Sequence, residues 1–300
     1  MNTGQVPGHL LATARTGFLS AMTGTQLPWT AIAREVAIGG SEETLVDLGA
    51  APMPKRSTTG VTLQDYAERE KTLRAFDWDI TVHITYNAVQ DDRTGELEMK
   101  VRDVADNFNL HVSKLVFDAV NSGAAITADY GACYDGAAMF SASHIDNGAQ
   151  YQTAQSNVNT LALDSTNFQT VYVASSTRLN DQGEQSGIVP DLLIVPPALE
   201  YTAAQLTQNR QLFGTPNNDI NPYFGRMQHV VVPWLDSTAW YLASTSKRQK
   251  PIIVGMRQRP FLQNAWYDPE KPDGGWYLFK YYGRYSVAYG DWRLITQGNT

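Results

Sequence analysis

Cys133 and His144, with Asp135 and Asp146 nearby in sequence, are the residue types from which a thiol nucleophile and its base are built. Such a pair works only within hydrogen-bond reach, beside donors that hold the developing oxyanion. The segments Cys133-Tyr134-Asp135-Gly136 and Ser141-Ala142-Ser143-His144-Ile145-Asp146 carry none of the local signatures of cysteine enzymes. A histidine in a loop rich in Ser, Asn and Gly reads as a turn residue. His144 and Asp146 supply two ligands, too few for a metal ion. Ser141 and Ser143 lie outside any G-x-S-x-G elbow. There is no G-x-G-x-x-G after a strand, no phosphate loop and no H-E-x-x-H, and the histidines are scattered at 9, 83, 111, 144 and 229. Asp91, Asp92, Glu96 and Glu98 gather four carboxylates. Acids collect at a helix start because the dipole favours them there, so these are read as capping residues. No catalytic residue, cofactor or metal is expected, and the chain is not read as an enzyme.

Two other groups invite a binding role. Trp266, Tyr267, Trp276, Tyr277, Tyr281, Tyr282, Tyr285, Tyr289 and Trp292 crowd the C-terminal part. Aromatics at that density make a sugar platform or fill a β core and subunit contacts, and packing is the reading preferred. Lys55-Arg56 and Lys247-Arg248-Gln249-Lys250 are the notable basic clusters. Exposed basic runs are usually solvated or paired.

The elements that must position these residues are bounded by composition. The 300 residues are 43% hydrophobic and 18% charged, enough apolar material for a real core and too little charge for a disordered chain. Net charge is −7, from 30 acidic and 23 basic residues, which gives no evident basic face for nucleic acid. Cys133 is the only cysteine, so no internal disulfide forms. The apolar runs Leu192–Pro197 and Pro251–Val254 are far short of the ~20 residues of a membrane helix. Met1–His9 lacks the basic start and apolar stretch of a signal peptide, which predicts synthesis in the cytoplasm without secretion.

Along the chain, Phe18, Leu19, Met22, Leu27 and Trp29 predict an arm with a short helix, docked on a neighbour or on its own body. Thr44–Gly49 is extended, and Pro52 and Pro54 confine the adjoining chain to an edge or exposed ribbon. Beyond the polar tip Lys55–Gly60 the chain returns through Leu63–Leu73. Phe76, Trp78, Ile80, Val82, Ile84 and Tyr86 are apolar at every second position, predicting a strand with one face buried. Residues 42–86 together predict a long two-stranded excursion. Leu97, Val101, Val104, Phe108, Val112, Leu115 and Ala119 share one face of a helix over about 96–121, with Gly123 as its left-handed cap. Asp164 caps a helix to Leu179, Leu192–Val195 is a buried strand, and Ala198–Asn209 is helical. Val230–Val232 and Trp240–Leu242 predict two strands joined by a turn at Asp236-Ser237. After Pro251 the chain is β structure, with a turn at Asp273-Gly274-Gly275. The fold class is α+β.

This order resembles the Hong Kong 97-type capsid fold, and within it the Mu-like major head subunit (gpT) family of tailed phages. The resemblance rests on Gln90-Asp91-Asp92, on Cys133–Gly136 through Met139–His144, and on Gly187–Glu200. Pro233-Trp234-Leu235 with Trp240–Leu242, and Lys250–Ile253, come after them in the same order. It covers about 40 to 295. It implies an N-terminal arm (1–41), an extended loop in the form of a β ribbon (42–78), a peripheral domain with a long spine helix (79–129), an axial domain (130–250) and a returning β segment with the C-terminus (251–300). It implies a major capsid protein that self-assembles through hexamers and pentamers into an icosahedral shell around double-stranded DNA. Lys55, Arg56, Trp29, Arg69 and Glu70 are then the candidate intersubunit contacts. Portal, scaffold and decoration proteins are the implied partners, DNA is held non-specifically, and no membrane is involved. The implied location is the virion, with assembly in the host cytoplasm. The chain opens almost at the arm, so the implied scaffold is separate or lies on a missing stretch. The Lys–Asn cross-linking pair of some relatives has no match here. An encapsulin-like nanocompartment shell and a carbohydrate-binding or adhesive β protein are the alternatives.

Overall fold

A computed structural model describes residues 6, 8–24, 28–47, 69–91, 96–145, 153–211, 220–236, 238–272 and 274–299. Helix α1 (Gly8–Gly24) is followed by β1 (Ala33–Ala37), β2 (Glu42–Asp47), β3 (Arg69–Arg74), β4 (Phe76–Thr85) and the short α2 (Tyr86–Asp91). The long α3 (Glu96–Asn121) leads to β5 (Val158–Asn159), α4 (Ser165–Ser176), β6 (Leu192–Val195) and α5 (Glu200–Gln208). Strands β7 (Gln228–Val231), β8 (Trp240–Ala243), β9 (Ile252–Asp268), β10 (Trp276–Tyr289) and β11 (Ile295–Gly298) complete the chain.

The described strands form three sheets, ordered β1-β9-β10-β4, β5-β11-β8-β6-β7 and β2-β3. In the first, β9 and β10 are a long antiparallel pair. Gly274 and Gly275 connect them with φ of 80° and 100°, a conformation that side chains with a Cβ disfavour. Helix α3 lies against this sheet and runs 26 residues, about 39 Å. Its buried positions Val101, Val104, Phe108, Val112 and Ala119 follow the helical period. The α1 helix buries Leu10, Ala14 and Phe18, one residue per turn, and the Phe18 ring stacks on Tyr281 at 4.7 Å and meets Phe108 edge-on. The arm helix thus docks on the body of its own chain. At 17 residues it is longer than the short helix expected, because this apolar stripe continues for two further turns on the N-terminal side of the Phe18–Met22 cluster.

The second sheet joins two cores. Leu192 and Ile194 of β6 face the main core, while Leu193 and Val195 face a smaller one with Phe168, Val171, Ala203 and Leu206 from α4 and α5. Strand β8 divides in the same way, Tyr241 and Ala243 to one side and Trp240 and Leu242 to the other. The period of two places successive side chains on opposite faces, so a strand apolar throughout serves two layers.

Four expectations need correction. Strands β7 and β8 are not joined as a pair, since β6 lies between them, parallel to β7 and antiparallel to β8. A fully apolar strand is most stable in a sheet interior, and β6 takes that place. The apolar face of β4 is buried only at Ile84, with Phe76 and Ile80 each 37% exposed. β4 is the outer strand of its sheet. The ribbon's returning strand is β3, whereas β4 leaves the ribbon to pair with β10. Gly123 is not a left-handed cap. It lies in a 3-10 turn, where a Cβ would stand 2.5 Å from the Phe140 ring. The proline pair and the tip at 52–60 lie outside the described residues, as do the side chains of Asp92, Glu96 and Glu98.

Candidate assembly surface and the polar core behind it

The residues that looked able to do chemistry are folded inward. Cys133 is buried, its Sγ is 3.5 Å from Met139 Sδ, and burial pushes the thiol well above its ordinary range. That makes it a poor nucleophile. His144 Nδ1 lies 2.6 Å from Asp135 Oδ2, so the Asp–His pair forms, but both side chains are fully buried. The imidazole stacks on Trp292 with centroids 4.1 Å apart, and Nε2 lies 3.2 Å from Asn157 Oδ1. Asn157 donates to Met139 O and Trp292 O and accepts from Ser141 N. The constellation ties the 133–144 loop to the segment before β11, with nothing left facing solvent. Asp146 lies outside the described residues.

Two buried arginines extend the network. Arg178 donates to Arg293 O and to Thr296 Oγ1, and burial lowers its guanidinium to about 10, still charged at neutral pH. Arg293 reaches the Tyr134 hydroxyl and Asp291. Sequence reading missed Asn157, Arg178 and Arg293, since isolated polar residues show no periodicity. Of the C-terminal aromatics, Tyr277, Tyr281, Tyr285, Tyr289 and Trp292 are buried, and Trp266, Tyr267, Trp276 and Tyr282 are partly so. They pack a core.

The expected contact residues fall in different places. Trp29 is 5% exposed, in the main core of its own chain. Arg69 is buried and ion-paired with Asp181 at 3.2 Å, which holds the ribbon base against the 178–185 loop. Glu70 is exposed on β3, and Lys55 and Arg56 lie outside the described residues. Val46 on the ribbon, Met99 and Leu110 on α3, and Phe76 and Ile80 on β4 are large apolar side chains left open. Val173 on α4 and Tyr201 on α5 are likewise open. Single exposed apolar residues are ordinary, but their recurrence on the ribbon, helix and outer strand suits a surface covered by other chains. Among the described residues, no group of three or more metal ligands occurs, and no helix is long and apolar enough to cross a membrane.

A family model described as phage capsid protein matches residues 69–296. No curated protein matches the chain. Among solved structures, the chain is similar to the procapsid of bacteriophage JBD30 at TM-score 0.58 and 17% identity, over 98% of this chain and 76% of that one. It is similar to the capsid of a native GTA particle at TM-score 0.57 and 10% identity, over 100% and 94% of the two chains. The bacteriophage JBD30 capsid matches at TM-score 0.55 and 17% identity, over 78% and 100%.

Proposed function

The chain belongs to the phage capsid protein family, and from that premise we infer that it is the major head subunit of a tailed phage, closing into an icosahedral shell around double-stranded DNA. Its α+β architecture is the Hong Kong 97-type capsid fold expected from the sequence. The observation that carries the reading is the family match over 69–296, reinforced by fold similarity along nearly the whole chain. The family's role is structural, and the Asp135–His144 pair, sealed in the core, is consistent with that role.

Within the shell, we assign residues 1–41 to the N-terminal arm, 42–78 to the extended loop, 79–129 to the peripheral domain with its spine helix, 130–250 to the axial domain and 251–300 to the returning β segment. The ribbon β2–β3 supports the second assignment. A two-stranded ribbon is marginal alone and gains stability by adding to another chain. Glu70 and the tip residues Lys55 and Arg56 are its proposed contacts with neighbours. Trp29 and Arg69 act behind them, fixing the arm and the ribbon base. The motifs at 133–144 and 187–200 support kinship with the Mu-like gpT head subunits. Hexamers and pentamers, a portal, a scaffold, decoration proteins and assembly in the host cytoplasm complete the proposal.

Size-exclusion chromatography with negative-stain electron microscopy tests it. Rings, tubes or closed shells are expected at high protein concentration, with scaffold supplied if needed. Persistent monomers with scaffold present refute the shell reading, and shells that enclose a protein cargo in place of DNA refute the genome-holding one.

A further inference from the structure

At the ribbon base, a cavity of about 120 Å³ opens between β1, β3, the segment entering β9 and the segment leaving β10. Arg34, Arg69, Lys71 and Lys250 line it, with Glu70 and Asp291 as the acids. The existing bonds leave positive charge over. Arg69 is matched by Asp181. Lys250 Nζ donates to Thr245 O at 2.5 Å, and Lys71 Nζ to Ala132 O and Tyr289 O, none of them an anion. Arg34 Nε is buried without a hydrogen-bond partner. Asp291 is engaged by the Tyr134 hydroxyl at 2.8 Å and by Arg293, and Glu70 is exposed.

A buried guanidinium N–H left unmet is costly, and buried donors almost always find an acceptor. Among the described residues, none supplies that acceptor to Arg34 Nε. We propose that this cleft receives a carboxylate, supplied in the assembled shell by an aspartate or glutamate of a second copy of the chain. The proposal rests on the shell reading above. A carboxylate matches the planar fork of Arg34 and can take the remaining N–H of Lys71. The cavity has room for roughly ten water-sized spheres, enough for one carboxyl group with its last methylenes. Acids outnumber bases 30 to 23 in this chain, so neighbouring copies carry the accepting side chain in excess. Duplex binding calls for a broad basic face, whereas these cations are confined to a recess beside Glu70.

The test uses full-length dissociated subunits in chloride, acetate or inorganic phosphate at one ionic strength. Thermal melting is read first, and shell formation by light scattering second. Acetate should raise the wild-type Tm by about 2 °C and slow shell growth by competing for the cleft. Arg34→Gln should abolish the Tm response and reduce shell yield, and Lys250→Gln serves where Arg34→Gln does not fold. No acetate response in wild type, or an undiminished one in the variants, overturns the site. Stabilisation by phosphate but not acetate overturns the carboxylate assignment. Wild-type subunits that respond to acetate yet never build shells with scaffold supplied overturn the second copy as occupant, and with it the shell reading, while keeping the site.

Discussion

Lys71 shows how one residue ties the ribbon to the body. Its ammonium donates to Ala132 O at 2.8 Å and Tyr289 O at 2.5 Å, so β3, the 126–133 loop and the end of β10 meet at one nitrogen. Burial lowers its pKa to about 8, against the opposing pull of Cys133 and Asp135. A lysine depressed in the folded state disfavours folding fully below pH 8, where both states hold the proton. Between pH 8 and 10.5 the unfolded chain binds more protons, so stability rises with pH. Cys133 works in the other direction above pH 9, because burial raises its thiol and the unfolded thiol ionises first. In a Cys133→Ala background, Lys71 should therefore add a rise of about 2 kcal/mol from pH 8 to 9.5 to urea melts of dissociated subunits, set against the opposing loss from buried tyrosines whose hydroxyls are raised. Adding Lys71→Met should flatten that rise. Asn157 is the second test at this scale. Asn157→Ala strands the carbonyls of Met139 and Trp292 and the Ser141 N–H, and should cost about 3 kcal/mol in the same melts. Unchanged stability would remove the Asp135–His144–Asn157 network from its structural role.

At the scale of elements, α3 was legible because its apolar residues repeat at three and four over 26 positions, longer than any accident of composition sustains. The β4 alternation was equally regular, yet it sits at a sheet edge with Phe76 and Ile80 partly open, because periodicity reports which side chains share a face and not what covers it. The exit of α3 depends on Gly123. A methyl group there meets the Phe140 ring at 2.5 Å, so Gly123→Ala should destabilise by about 2 kcal/mol through overpacking, read as a lower urea midpoint with unchanged slope. Phe140→Leu should restore part of the loss in Gly123→Ala and none of it in wild type. A left-handed cap would respond to no change at Phe140.

At the scale of the whole molecule, apolar side chains on the ribbon, α3 and β4 lie open among the described residues, where association between copies can cover them. Association that covers them stabilises the folded chain by mass action. Calorimetry of assembled particles should show a Tm several degrees above that of dissociated subunits, rising with protein concentration during reassembly. Equal values would mean that the shell adds nothing to subunit stability.

What is local or periodic could be read along the chain. The α3 helix, the Asp164 cap, the buried β6 strand and the aromatic β9–β10 region all arise from patterns within a few turns of chain, and the order of motifs led to the capsid fold. Tertiary structure decided what depends on partners distant in the chain. It placed β6 between β7 and β8, sent β4 away from the ribbon, and set Arg69 against Asp181 across 112 positions. It also brought Arg34, Lys71 and Lys250 to one cavity. Residues so far apart carry no spacing that records their contact. Strand neighbours are selected by which faces remain to be buried once the other elements have packed.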